Sequence, residues 1–285
     1  MWVTDDATVG SEGADKTYGL MTNLSCNRLV SGAALAFTSE EVTRRLHRVD
    51  YLLNPRGIRV VSIRGSAVFA QRYRAFLFDM DGTLLNSIAA AERVWSTWAE
   101  RHGLDVAAFL TTIHGARAID TITRQALPGV DPKVEAQWIT EAEINDVEGV
   151  VAIGGAVEFL NGLPGDQWAL VTSAPRELAL RRLAAAGIEP PAVLVTAEDV
   201  ASGKPDPACY VLGAQRLGVP VRECLVFEDA TVGIRAGVAA GADVMVVTAT
   251  HLTPMATAHA TIQDYEQLRV QRDTDGLLSL QGLAD

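Results

Sequence analysis

The sequence predicts an α/β protein built on a parallel sheet with helical crossovers. Three observations lead there. From Arg74 onward, short apolar runs alternate with helical stretches of roughly 8–12 residues. Acidic or hydroxyl residues recur where those apolar runs end. The charge also changes at the same place: residues 1–74 carry a net +3 and the remainder −14, within a total of −11.

Residues 1–37 are rich in Gly, Ser, Thr, Asp and Asn without periodicity, and read as disordered or loosely attached. They contain no basic stretch followed by an apolar one, so no secretory signal is expected. Residues 39–53 read as a helix, with Thr38 and Glu41 as a capping box and Val42, Leu46, Val49 and Leu53 on one face. Asn54-Pro55-Arg56-Gly57 reads as a turn. The extension is either a docking segment or an appendage without a role.

The alternating region then runs in order. Phe76–Phe78 is the first strand, 88–102 a helix with Val94, Trp95 and Trp98 on one side, and 105–150 mainly helical. A helix over 155–162 precedes the strand Trp168–Thr172. Arg176–Ala186 is a helix, Ala192–Thr196 a strand and Pro207–Leu217 a helix. Cys224–Phe227 is a strand, Thr231–Ala240 a helix and Val244–Val247 a further strand.

Bulk properties narrow the function. With 285 residues and 48% hydrophobic content, the chain has room for one large domain or two modest ones. No apolar run of about 18 residues is present, so no membrane helix is expected. The acidic balance argues against nucleic acid as a partner, because phosphate backbones demand an excess of Lys and Arg. Cys26, Cys209 and Cys224 lie far apart without metal-ligand spacing, which suits reduced thiols and a cytoplasmic setting.

The strand ends carry the chemistry. Asp79 and Asp81 follow the first strand, Ser173 the second, Lys204 opens the Gly-Lys-Pro segment, and Glu228 and Asp229 follow Val226-Phe227. In a parallel sheet these converge on one edge. Several carboxylates at one point repel unless a hard cation neutralises them, and oxygen donors without His or Cys suit Mg²⁺. Lys204 and Ser173 remain as donors for an anion, most simply a phosphoryl group. Asp79 can attack phosphorus, while Asp81 can protonate the leaving oxygen and later activate water. The chain holds three lysines against 21 arginines, so a lysine at 204 hints at a compact ammonium.

Asp79-Met80-Asp81-Gly82-Thr83, Val171-Thr172-Ser173, Lys204-Pro205 and Glu228-Asp229 together resemble the four motifs of the haloacid dehalogenase superfamily, over about residues 74–250. The resemblance is to its small-cap sugar, 2-deoxyglucose-6-phosphate and glycerol-phosphate phosphatases. It implies a Rossmann-like doubly wound parallel sheet with an inserted helical cap. The core would be 74–90 and 152–250, the cap 91–151, the extension 1–73 and a C-terminal segment 251–285. It implies Asp79 as nucleophile, Asp81 as acid–base, and Mg²⁺ held by Asp79, the carbonyl of Asp81 and Asp229, with Glu228 close by. Thr83, Ser173, Ala174, Lys204 and Arg117 would face the substrate, a small phosphorylated sugar or polyol. For Arg117 a salt bridge to Asp120 is an equal alternative, and His114 has no assigned role. Gly154-Gly155 stands where the family often has Pro-Gly. A monomer or weak homodimer is expected.

Three rivals share the fold. A β-phosphoglucomutase-like enzyme would carry a cap His twelve residues after the nucleophile and often lacks the Thr; here Ala91 and Thr83 favour hydrolysis. A dehalogenase has no need of Asp81. A catalytically silent binding protein would not need all four motifs intact.

Overall fold

The computed structural model describes residues 51–54, 57–60 and 65–282. Residues 1–37 and the first part of the helix expected over 39–53 lie outside these. Tyr51–Leu53, expected to end that helix, belong instead to β1 (Tyr51–Asn54), paired antiparallel with β2 (Gly57–Val60). A short helix α1 (Gly65–Ala70) follows, and its Val68 is already buried in the main core.

The central sheet has six strands, all parallel, in the order β10-β9-β8-β3-β6-β7. These are β3 (Ala75–Phe78), β6 (Trp168–Val171), β7 (Val193–Val195), β8 (Cys224–Glu228), β9 (Asp243–Val247) and β10 (Ala260–Ile262). The chain builds outward from β3 to β7, then returns to β8 and builds the other way. The order therefore reverses between β3 and β8, the crevice where such sheets bind ligands. This is the Rossmann-like α/β arrangement that the alternation predicts.

Period-two alternation divides each strand between two cores. Phe76, Phe78, Leu170, Phe227 and Met245 face one side, where α6 (Ala156–Asn161) and α7 (Arg176–Ala185) cover them. Ala75, Leu77, Val171, Val226 and Val244 face the other, under α8 (Ala208–Arg216) and α9 (Thr231–Ala240). The first side is aromatic, with Phe78 stacked on Phe227 at 4.5 Å and Phe159 against Tyr265 at 5.2 Å. Cys209 and Cys224 are buried and unpaired.

The insertion leaves the core through a two-stranded neck, β4 (Leu85–Asn86) against β5 (Val151–Ala152). Between them lie α2 (Ile88–Arg101), α3 (Val106–Leu110), α4 (Ala118–Gln125) and α5 (Pro132–Asn145). Val94, Trp95, Trp98, Phe109, Ile122 and Ile139 form a separate apolar cluster there.

The sheet does not end at residue 250, where the sequence reading closes the core. β10 is its sixth strand, and Tyr265 and Leu268 pack into the aromatic core. Strands β11 (Leu268–Arg272) and β12 (Leu278–Gly282) form a ribbon whose Leu278 exchanges backbone hydrogen bonds with Tyr73. Pro254 and the polar Asp273–Gly276 turn break this segment into pieces too short to show periodicity.

Tyr265 also explains the Gly-Gly pair. Its N–H donates to the Gly154 carbonyl at 2.9 Å, and Gly155 is left-handed with φ +72°. A Cβ on Gly155 would lie 2.6 Å from the Glu266 nitrogen. Gly155→Ala is expected to cost about 2 kcal/mol, lowering Tm by roughly 4–8 °C. Gly165→Ala, with open space around its Cβ position, serves as the control in the same thermal melt.

Candidate active site

Two strand ends and one loop segment meet at the crevice between β3 and β8. β3 delivers Asp79, whose N–H donates to the Phe227 carbonyl at 3.0 Å, which fixes it beside the end of β8. β8 delivers Glu228 and, one residue on, Asp229. Lys204 comes from the segment after β7. Carboxylate oxygens of Asp79, Glu228 and Asp229 lie within 4.8 Å of one another, and all three residues are buried.

Lys204 holds this group together. Its ammonium donates to Asp79 Oδ1 at 2.5 Å, Glu228 Oε1 at 2.7 Å and the Val171 carbonyl at 3.3 Å. Glu228 is fully engaged. Its Oε1 also accepts from Tyr210 Oη at 2.8 Å, and its Oε2 accepts from the N–H groups of Asp229 and Ala230, both at 3.0 Å. Although Glu228 belongs to the acidic cluster, its oxygens face Lys204 and the start of α9 rather than the cavity. Asp79, Asp81 and Asp229 line the cavity.

The electrostatics are unbalanced. Burial pushes the Asp79 carboxyl up, to about 7, against the pull of Lys204. Burial, then the charges of Glu228 and Asp79, drive Asp229 well above the usual carboxylate range. Burial alone would lower the Lys204 ammonium, but Asp79 and Glu228 outweigh it and hold it well above its ordinary value. One cation among three buried acids leaves negative charge uncompensated. A hard divalent cation on Asp79 and Asp229 would remove the excess, and an all-oxygen donor set suits Mg²⁺.

Two glycines make room for these acids. Gly82 turns with φ +87°, and a Cβ there would lie 2.0 Å from Asp229 Oδ2. A Cβ on Gly233 would lie 1.6 Å from Glu228 Oε1. Gly82 is conspicuous in the sequence; Gly233 is legible only once Glu228 is known to sit under α9.

The remaining site residues divide. Ser173 and Ala174 line the cavity, yet the Ser173 hydroxyl donates to the Gly115 carbonyl of the cap at 2.9 Å. Thr83 does not face the substrate space: it is fully buried, with its hydroxyl 3.4 Å from Asp229 Oδ1. A hydroxyl one residue after a left-handed glycine is turned under the loop, where it supports Asp229. Arg117 lies outside the cavity of Asp79 and Asp81 but lines a small neighbouring pocket with Ser173 and Lys204. It forms the bidentate pair with Asp120 at 2.7 and 3.0 Å and donates to the carbonyls of Val200 and Ala201. Because Arg117 also bonds the core, it joins cap to core. His114 lines the cavity, where burial lowers its imidazole.

Sequence reasoning missed Tyr210, Ser87, Arg182 and Glu143. Ser87 Oγ donates to Asp81 Oδ1 at 2.5 Å, and Arg182 Nη1 to the same oxygen at 3.0 Å. A helical arginine off any motif carries no local signal. Tyr210 lies within the helix expected over Pro207–Leu217, where no motif marks it.

Removing Lys204 tests the charge balance. Lys204→Met is expected to destabilise the metal-free protein by about 3–5 kcal/mol, since it leaves buried carboxylates unpaired. Urea unfolding in chelator measures this, and a cost below about 1 kcal/mol would contradict the balance described.

Comparison with known proteins agrees with this geometry. A family model described as haloacid dehalogenase-like hydrolase matches residues 73–241. Hexitol phosphatase A of Escherichia coli is 41% identical over 216 residues, covering 74% of this chain and all of that protein. Glycerol-1-phosphate phosphohydrolase 2 of Saccharomyces cerevisiae is 33% identical over 190 residues, covering 63% of this chain and 76% of its own length. A solved β-phosphoglucomutase from Clostridium difficile, 19% identical with a TM-score of 0.60, covers 69% of this chain and 93% of its own and shares the fold. The chain belongs to the haloacid dehalogenase-like hydrolase family, as a phosphatase-type member.

Proposed function

We propose that this chain hydrolyses the phosphomonoester of a small sugar or polyol, with Asp79 as nucleophile. The carrying observation is the buried set of Asp79, Asp229 and Glu228 around Lys204 at the point where the strand order reverses. The hexitol and glycerol phosphatases it resembles support a sugar or polyol as the leaving group.

The residues divide the work. An Asp79 oxygen attacks phosphorus as the bond to the leaving oxygen breaks, and Asp81 gives that oxygen a proton. Water then attacks the aspartyl phosphate, and Asp81 takes its proton as inorganic phosphate is released. Lys204 pulls the Asp79 carboxyl toward its ionised form against burial and holds it in place. Asp79, the Asp81 carbonyl and Asp229 would hold Mg²⁺, which supplies charge stabilisation to the phosphoryl oxygens. Glu228 and Tyr210 anchor Lys204, and Thr83 supports Asp229. Ala91, a cavity-lining residue of α2, places a methyl group where a mutase of this fold would carry an imidazole.

Overall acidity does not oppose an anionic substrate, because local charge decides. Nothing among the described residues is a helix long and apolar enough to cross a membrane.

Asp79→Asn is expected to reduce phosphate release by at least about 10⁴-fold from hexitol, hexose or glycerol phosphates, with the fold and melting temperature preserved. Near-normal turnover in that variant would sink the mechanism. Mg²⁺ at about 100-fold its Kd should stabilise the wild type by about 2.7 kcal/mol. Asp229→Asn should lose most of that gain, read as the Mg²⁺-dependent shift in Tm.

A further inference from the structure

Arg182 of α7 is a charged residue only 5% exposed, and the mechanism above does not use it. Its guanidinium meets carboxylates from two parts of the molecule. Nη1 donates to Asp81 Oδ1 at 3.0 Å, and Nη2 lies 3.1 Å from Oε1 of Glu143 on the cap helix α5. Nη2 is buried without a well-aligned hydrogen bond, so the ionic contact with Glu143 is what compensates it. All three residues line the same cavity as Asp79. Apolar residues of similar volume often serve stability as well as a buried ion pair does, so the arrangement calls for a reason in geometry.

Asp81 supplies that reason. Its Oδ1 accepts from both Arg182 and Ser87, while Oδ2 accepts no hydrogen bond among the described residues. An oxygen already accepting two donors has little room for a proton. The proton carried by the protonated carboxyl therefore falls on Oδ2, and the carboxylate cannot rotate without losing two hydrogen bonds. Glu143 completes the arrangement from the cap side.

We propose that Arg182, together with Ser87, is a positioning residue that fixes which oxygen of Asp81 exchanges the proton, and that Glu143 ties this alignment to the cap. This rests on the phosphatase reading above. Arg182 touches no reacting atom and acts through Asp81.

The test separates proton delivery from folding and substrate fit. Phenyl phosphate and p-nitrophenyl phosphate have nearly one shape but differ in leaving-group basicity, so the poorer leaving group depends more on the acid. Values of kcat/KM report the step in which the leaving oxygen departs. In Arg182→Met, kcat/KM for phenyl phosphate is expected to fall at least about tenfold further than for p-nitrophenyl phosphate. Ser87→Ala, a milder change that leaves the ion pair intact, should move in the same direction by a smaller factor. Arg182→Lys should recover part of the phenyl phosphate rate. Equal losses on both substrates in Arg182→Met and Ser87→Ala would overturn the proposal. If the wild type with Mg²⁺ released phosphate from neither compound nor from any sugar phosphate, the phosphatase reading itself would fail.

Discussion

The ammonium of Lys204, held between Asp79 and Glu228, is the contact on which the rest of the site depends. Three buried carboxylates within a few ångströms are untenable alone, because each has lost its hydration and each repels the others. Lys204 offsets part of that cost. The Tyr210 hydroxyl and the two N–H groups at the start of α9 offset more by taking up the remaining capacity of Glu228. What they leave is an excess of buried carboxyl groups on Asp79 and Asp229, facing the cavity, whose ionised forms burial opposes. A divalent cation on Asp79 and Asp229, as proposed above, would remove that excess and offer positive charge to a phosphoryl group.

The sheet makes this juxtaposition possible. Lys204, Asp79 and Glu228 are far apart in sequence; the reversal of strand order places the ends of β3 and β8 side by side, and the segment after β7 reaches back past β6 to add Lys204. The backbone then had to yield space, which is why Gly82 and Gly233 lie directly against the carboxylates. The cap is tied to the same edge. Ser173 bonds the Gly115 carbonyl, Arg117 reaches the carbonyls of Val200 and Ala201, and Gly203 has no room for a Cβ against the Arg117–Asp120 pair. The loop that presents Lys204 is therefore also the loop on which the cap rests. Cap position and catalytic geometry share residues, which suits an enzyme that must exclude water during phosphoryl transfer.

How much of this the sequence reveals depends on whether a signal is local. The sheet strands through Val247 are legible because each is a short apolar run with a polar end. The site acids and Lys204 are legible because they occupy those ends. The C-terminal strands are not, since β10 is three residues long and gains its place only by pairing with β9. Thr83 and Arg117 have the residue types of substrate ligands but are turned elsewhere, Thr83 by the left-handed Gly82 and Arg117 by the nearby Asp120. Arg182 and Glu143 carry no sequence signal at all. Their significance lies in a contact between helices 39 residues apart in the chain, which no spacing rule anticipates.

The two buried cations show why lysine and arginine are not exchanged here. The chain uses arginine almost everywhere, yet its one buried lysine among the described residues stands beside Asp79, the proposed nucleophile. A compact ammonium can sit among Asp79, Glu228 and a carbonyl at once, and it leaves the open side of Asp79 free for phosphorus. A planar guanidinium would need a wider gap and would occupy that face. At Asp81 the demand is the reverse. There a rigid fork spans two carboxylates from different parts of the fold and holds one of them at a fixed angle. As the proposed nucleophile, Asp79 needs a neighbouring charge with little directional demand, whereas Asp81, as the proposed proton carrier, needs orientation. Lysine meets the first requirement and arginine the second.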